Sequence, residues 1–213
     1  MKSQDEIYQK ILKILEAERF EKACQGIPVG VSNRHLHLSQ EHVNILFGEG
    51  YSLTNIKDVK QPGQFACKET VTLCGPKGAI EKVRILGPTR KTTQVEILKS
   101  DCFKLGLDAP IRMSGDLEGS PGVTIVGPKG SIYLQEGVIV AHRHIHMLPE
   151  QAEREGFVDQ EIVSLEIKGI RAGRMDNVVM RVADHSALEC HVDIEEANAY
   201  GLTSSSFVHI IRN

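Results

Sequence analysis

The chain contains an internal repeat built around an Arg-His-x-His motif, and this repeat limits its fold more than any other feature. Residues 29–51 (VGVSNRHLHLSQEHVNILFGEGY) resemble residues 138–157 (VIVAHRHIHMLPEQAEREGF). Each copy reads as a short strand, then the His-x-His pair, then a short helix. A repeated unit of this kind indicates that the chain is built from two related halves.

A second pair of segments extends the repeat. QVEILKSDCFKLGL at 94–107 aligns with ECHVDIEEANAYGL at 189–202, and in that register Glu96 falls on His191. The second copy is shorter between its two matched segments. We therefore treat Glu96 and His191 as equivalent positions of two related but unequal halves.

The predicted fold is mainly β with short helices. Short β-branched runs bounded by Gly or Pro predict strands at 27–33, 70–75, 81–87, 94–98, 122–127, 137–142, 161–167, 177–183 and 207–211. Cap and stop residues predict helices at 40–47, 100–105, 149–155 and 195–200. This spacing favours small barrels or sandwiches over alternating βαβ units. The predicted division is an N-terminal amphipathic helix with a linker (1–26), a first half (27–115) and a second half (116–213).

The repeat predicts two metal sites with three ligands each. The first consists of His35, His37 and Glu96, and the second of His144, His146 and His191. Imidazole and carboxylate groups bind zinc-type ions, and three protein ligands leave one position open, as in catalytic sites. The alternative is a chance His-x-His pair on a polar face, which two matched copies make a poor explanation. His42 is expected to face solvent, and Cys190 to lie in the core.

Several arginines in the repeat could bind an anion. Arg34 and Arg143 each precede a His-x-His pair, Arg90 lies just before the strand that carries Glu96, and Arg112 closes the first half. Arg suits a bidentate grip on phosphate or carboxylate. For any one of them, an ordinary surface ion pair remains the alternative.

Composition excludes several other classes of function. A formal net charge of -3 without blocks of like charge argues against nucleic acid as a partner. Five cysteines without a CxxC pair favour a reducing compartment over a disulfide framework. No signal-peptide pattern or apolar run of about 18 residues occurs, so we expect a soluble, intracellular protein without a membrane span.

The motifs together resemble one known family. IPVGVSNRHLHLS, QPGQFA, TVTLCGPKG, VRILGPTRKTTQVEI, APIRMSG, GVIVAHRHIHM and LECHVDIEEANA are similar to the PduL-type phosphotransacylases (phosphate propanoyltransferases) from about residue 27 to 202. The resemblance implies conversion of a short-chain acyl-CoA and phosphate into an acyl phosphate and coenzyme A. It also implies two β-barrel halves capped by helices, with two metal ions, zinc being favoured, between them.

The family's site residues carry over by motif. They imply the same six metal ligands, and Arg90 as the residue that binds phosphate. The resemblance also implies that strand 27–33 can pair with the second barrel. Because the cluster of three histidines lacks a carboxylate, we expect it to be the better phosphate binder. The competing functions are a binuclear metal-dependent hydrolase of thioesters or phosphoesters and a non-catalytic metal-binding module.

The N-terminal segment raises a separate question of location. Apolar residues within 4–23 recur at helical spacing, and such a helix resembles the peptides that bring PduL-type enzymes into bacterial microcompartments. We therefore expect residues 1–25 to bind a shell protein and the protein to lie in a microcompartment lumen or in the cytoplasm. The alternative is a helix that packs on its own body or mediates a homo-oligomer.

Overall fold

The computed structural model describes residues 26–211, which form fifteen short strands and four helices. The strands are β1 (Ile27–Ser32), β2 (His35–His37), β3 (Asn55–Asp58), β4 (Phe65–Gly75), β5 (Gly78–Gly87), β6 (Gln94–Ile97), β7 (Ile111–Arg112), β8 (Val123–Val126), β9 (Ser131–Leu134), β10 (Val138–Ala141), β11 (His144–Met147), β12 (Ile162–Ile167), β13 (Gly173–Val182), β14 (Glu189–Asp193) and β15 (Phe207–Ile211). The helices are α1 (Gln40–Phe47), α2 (Lys99–Leu105), α3 (Pro149–Glu155) and α4 (Ile194–Tyr200). The prediction of a mainly β fold is confirmed, whereas the predicted helix at 4–23 lies outside the described residues.

The strands form one closed barrel and one open sheet. The barrel follows the order β1-β14-β11-β13-β12-β15, and the open sheet follows β7-β10-β6-β2-β5-β4-β8-β9 with β3 paired to β4. Each has its own apolar core, with Leu36, Ile85 and Val95 in the open sheet and Ile145 and Met180 in the barrel. No helix within residues 26–211 has both the length and the apolar character that crossing a membrane requires.

The two sheets exchange equivalent strands of the repeat. β1 precedes the first His-x-His pair, yet it runs parallel to β14 in the barrel, with Val29 opposite Cys190. β10 precedes the second pair, yet it runs parallel to β6 in the open sheet, with Val138 opposite Val95. β8 and β9 also join the open sheet through β4. The division at 115 and 116 remains a prediction about folding units, and strands cross it in both directions.

The helices begin and end at the residues that their caps require. Ser39 precedes α1, and its side chain accepts a hydrogen bond from the backbone N–H of His42. α3 begins at Pro149, which lacks an N–H to leave unpaired, and Gly156 ends it in the left-handed conformation. α2 and α4 each start one residue earlier than the sequence predicted. Each of the four helices directly follows a strand that carries candidate ligands.

Candidate metal and anion site

Each ligand cluster forms where two short strands pair side by side. His35 on β2 lies opposite Glu96 on β6, and His144 on β11 lies opposite His191 on β14. Successive side chains of a strand point to opposite faces, so the fully buried residue between each His-x-His pair turns both histidines away from the core. Both clusters therefore form in the same way: a buried apolar residue lies between two histidines on a strand, and both histidines point to the opposite face.

The first cluster brings His35, His37 and Glu96 together, with one candidate ligand atom from each lying within 4.8 Å of the others. The Nε2 atom of His35 is 3.4 Å from a carboxylate oxygen of Glu96. The Nδ1 atoms of His35 and His37 lie 2.8 Å and 3.1 Å from the backbone carbonyl oxygens of Asn33 and Leu86. Because a carbonyl only accepts, each Nδ1 carries the hydrogen and Nε2 keeps a lone pair for a metal.

The second cluster brings His144, His146 and His191 together within the same 4.8 Å limit. The Nε2 atoms of His144 and His146 are 3.1 Å apart, and the Nδ1 atom of His144 lies 2.8 Å from the carbonyl oxygen of His142. His191 differs, because its Nε2 atom lies 2.6 Å from a carboxylate oxygen of Glu189. That contact leaves Nδ1 as the ring atom of His191 available to a metal.

The donor sets fit a zinc-type ion. Ligand bonds of about 2.0–2.1 Å in tetrahedral geometry place neighbouring ligand atoms about 3.3 Å apart. The Nε2 atoms of His144 and His146 are 3.1 Å apart, and the Nε2 atom of His35 is 3.4 Å from a carboxylate oxygen of Glu96, so both separations are close to this spacing. Nitrogen and oxygen donors of this kind suit zinc and related divalent ions.

Three histidines of the clusters, His37, His144 and His146, are neutral at physiological pH. Burial lowers the pKa of His37 to about 3, and the charges of Arg90 and His35 act in the same direction. Burial likewise lowers the pKa of His144 to about 4 and that of His146 to about 2. Neutral imidazoles can bind a cation without first releasing a proton.

Glu96 is the ionised partner of these imidazoles. Burial alone would raise its pKa, but electrostatic interactions with the rings of His35 and His37 and with the Arg90 guanidinium outweigh burial, and the pKa is lowered. The carboxylate is therefore negative at neutral pH, which a metal ligand requires.

Two arginines lie close to the clusters, and the sequence predicted one of them. Arg90 donates to Ser114 through a 3.2 Å hydrogen bond. Arg181 on β13 lies opposite His146, and its guanidinium makes no hydrogen bond or ion pair with any residue of 26–211. Burial is the main cause of the lowered pKa of both His146 and Arg90, and the charge of Arg181 contributes to each. Sequence reasoning missed Arg181 because the residue paired at that position in the other half is not an arginine.

The other candidate arginines form ion pairs instead. Arg34 binds Asp101 at 2.7 Å, and Arg143 binds Glu196 at 3.2 Å. Both carboxylates lie in the first turn of the helix that follows a ligand strand. Arg112 pairs with an aspartate four residues later at 3.1 Å. The ion-pair alternative therefore explains these three arginines, which hold the ends of strands and helices in place.

Two side-chain predictions near the clusters have opposite outcomes. The prediction that His42 faces solvent is wrong, since its Nδ1 atom lies 2.7 Å from the hydroxyl of Thr93 and the residue is half-buried. Cys190 is fully buried in the barrel core as predicted. Burial raises the pKa of its thiol to about 12. This thiol is therefore not available as a nucleophile beside His191.

Comparison with known proteins places the chain among acyltransferases. The sequence model of the phosphate propanoyltransferase family matches residues 28–203. A Thermotoga maritima protein named phosphate propanoyltransferase is 52% identical over 208 residues, which is 97% of this chain and 98% of the relative. Relatives of the same name are 55% identical over 184 residues in Rhodobacter capsulatus (86% of each chain) and 47% identical over 208 residues in Clostridioides difficile (98% and 97%).

Proposed function

The chain belongs to the phosphate propanoyltransferase family, and on that basis we propose that it exchanges a short acyl group between coenzyme A and phosphate. The reaction converts propanoyl-CoA or acetyl-CoA and phosphate into the acyl phosphate and free coenzyme A. The observation that carries the proposal is a pair of three-ligand clusters with Arg90 and Arg181 beside them, all within the matched segment 28–203.

We propose that the two clusters bind two divalent metal ions, with zinc the best match to their donors. His35, His37 and Glu96 would hold one ion, and His144, His146 and His191 the other. A bound ion of this kind would supply Lewis-acid stabilisation of negative charge on the acyl oxygen. The protein's part is to hold five imidazoles and one carboxylate in the orientation that an ion requires.

The arginines would bind phosphate. Arg90 keeps most of its donors free after its single contact with Ser114, and Arg181 has no partner among the described residues. Two guanidinium groups would offset the charge of the phosphate dianion and direct one of its oxygens toward the thioester carbonyl. A C–O bond then forms at that carbon, the C–S bond breaks, and coenzyme A leaves as the thiolate.

Direct attack by phosphate agrees with the lack of a reactive thiol beside the second cluster within residues 26–211. Cys190, the cysteine beside the second cluster, is fully buried with a raised pKa. The sequence also contains no GxSxG motif that would present a reactive serine. Transfer through a covalent acyl-enzyme is therefore not part of this proposal.

Thiol release from acetyl-CoA and propanoyl-CoA, measured with and without phosphate, tests the proposed function. We expect release that depends on phosphate and yields the acyl phosphate. Release at the same rate without phosphate would favour the binuclear hydrolase instead. No release by the metal-loaded protein would favour the non-catalytic metal-binding module.

We also propose that residues 1–25 direct the protein to the lumen of a bacterial microcompartment. The support is the helical spacing of apolar residues within 4–23. Deletion of residues 1–25 should leave the activity intact and abolish co-localisation with shell proteins. Unchanged co-localisation would assign the segment to packing or self-association.

A further inference from the structure

In each cluster, the third ligand is hydrogen-bonded by the side chain two residues before it on the same strand. Gln94 donates from Nε2 to Glu96 at 2.6 Å, and His191 donates from Nε2 to Glu189 at 2.6 Å. We propose that Gln94 and Glu189 are matched positioning residues, an amide for the carboxylate ligand and a carboxylate for the imidazole ligand. This inference rests on the proposed metal binding by the two clusters.

The orientation of Gln94 is fixed from both ends of its amide. Its Oε1 atom accepts a 2.8 Å hydrogen bond from the backbone N–H of Gly115, so Nε2 must face the other way. There Nε2 donates to Glu96 and, at 2.8 Å, to the hydroxyl oxygen of Ser114. The same hydroxyl oxygen accepts a hydrogen bond from the guanidinium of Arg90. Gln94 is 2% exposed, so water does not compete for these contacts. The amide therefore connects the carboxylate ligand to the arginine proposed to bind phosphate.

Glu189 is held by residues from the other sheet. Lys60 lies 3.5 Å from one of its carboxylate oxygens, and Gln61 donates to the other at 3.4 Å. Gln61 is itself fixed, since it donates to the carbonyl of Ala187 at 3.0 Å and accepts from the N–H of Ala187 at 3.1 Å. Both residues belong to the connection between β3 and β4 of the open sheet, whereas Glu189 begins β14 of the barrel. Contacts between the sheets thus determine where the carboxylate of Glu189 lies.

The backbone of β1 is shaped to fit this pair. Gly30 lies opposite His191 in the parallel pairing of β1 and β14. A Cβ atom at Gly30 would lie 2.7 Å from the carboxyl carbon of Glu189 and 2.7 Å from the ring of His191. Only glycine therefore leaves room for both side chains as they stand. The equivalent position on β10 is Ile139, whose side chain is accommodated beside Glu96.

The contact gives His191 a role distinct from the other ligands. His35, His37 and His144 direct Nδ1 to backbone carbonyls, whereas His191 directs Nε2 to a carboxylate. A carboxylate partner fixes the tautomer and strengthens the ring as a ligand, and its loss typically costs 10–100-fold in metal affinity. Glu189 also gives the second cluster a nearby negative charge, which weakens the expectation that three histidines make it the better phosphate binder.

The test isolates one cluster at a time and measures metal affinity. Glu189→Gln is made in a His35→Ala background, so that zinc titration of the metal-free protein against a competing chelator reports the second cluster. Gln94→Met is made in a His144→Ala background, so that the same titration reports the first. We expect each substitution to weaken zinc binding at its own cluster by roughly 10–100-fold. Glu166→Gln, at an exposed glutamate of β12, is the matched control and should leave affinity unchanged.

The outcomes separate this inference from the function on which it rests. Unchanged zinc affinity in both substituted proteins would overturn the positioning role while leaving metal binding in place. Failure of the unsubstituted chain to bind zinc would overturn metal binding itself. If Glu189→Gln does not fold, Gln61→Ala in the His35→Ala background carries the test, since its side chain supports Glu189 without touching a candidate ligand. We expect this double variant to bind zinc more weakly than the His35→Ala protein does. Equal zinc affinity of the two proteins would contradict the proposal.

Discussion

At the scale of single residues, the side chains around the clusters divide into those suited to a cation and those suited to an anion. Five histidines and one glutamate supply lone pairs, and their neighbours are mainly groups that fix the orientation of rings and carboxylates. Arg90 and Arg181 retain free donors, whereas Arg34 and Arg143 are committed to carboxylates on neighbouring helices. Free donors beside lone pairs are what a site for a metal and a phosphate requires.

The two clusters should lose metal independently. His35→Ala removes a ligand from the first cluster alone, and His144→Ala removes one from the second. We expect metal content, measured by mass spectrometry after dialysis, to fall from two ions per chain to one in each variant and to none in the double variant. His185→Ala, at an exposed histidine outside both clusters, should retain two ions. Loss of both ions in either single variant would indicate one shared site.

Arg90 should be required for phosphate and not for folding. Arg90→Ala removes a charged donor from a half-buried position beside Glu96, and loss of one such donor typically costs about 10²–10³-fold in rate. We expect a decrease of that order in kcat/KM for phosphate, with thermal stability close to that of the unsubstituted protein. Arg112→Ala is the control, because its ion pair with Asp116 lies outside the clusters. Near-normal phosphate kinetics for Arg90→Ala would remove this residue from the site.

At the scale of secondary-structure elements, the sequence predicted those helices whose ends are marked by residues close to them in the chain. Helices α1 and α3 run from 40 to 47 and from 149 to 155, as predicted, because serine, proline and glycine signals are local. Strands β2 and β11 were not predicted as strands, since three or four residues containing two histidines carry no β-branched run. Their extended form comes from pairing with distant strands, which a local pattern does not report.

The helix after β14 offers a test of how local caps support the second cluster. Asp193 accepts hydrogen bonds at 2.8 Å from the N–H groups of Glu195 and Glu196, and it also ends the strand that carries His191. Asp193→Ala should lower the free energy of unfolding by about 1 kcal/mol, measured by urea denaturation. Asp184→Ala, at an exposed turn, should change it by less than about 0.5 kcal/mol. Equal stabilities of the two variants would show that this cap is not significant.

At the scale of the whole molecule, the functional chemistry depends on contacts that cross between the sheets. The repeat register paired Glu96 with His191, so the six candidate ligands could be predicted from the sequence. The link between Gln61 and Glu189 could not, since it joins residues 128 positions apart without a repeated counterpart. The closed barrel likewise includes β1 from the other end of the chain, a non-local pairing that only the family resemblance suggested.

Burial of neutral histidines makes the stability of the metal-free protein depend on pH. The folded-state pKa values of His37, His144 and His146 are about 3, 4 and 2, well below the ordinary value of 6.5. Below pH 6.5 the unfolded chain takes up protons that the folded chain does not, so stability should fall as pH decreases from 6.5 towards 4. The slope of unfolding free energy against pH, from urea titrations between pH 6 and 5, should approach about 1.4 kcal/mol per pH unit for each such histidine. His146→Gln should reduce that slope by about 1.4 kcal/mol per pH unit, the contribution of one proton. An unchanged slope would contradict the assignment of a neutral, buried His146.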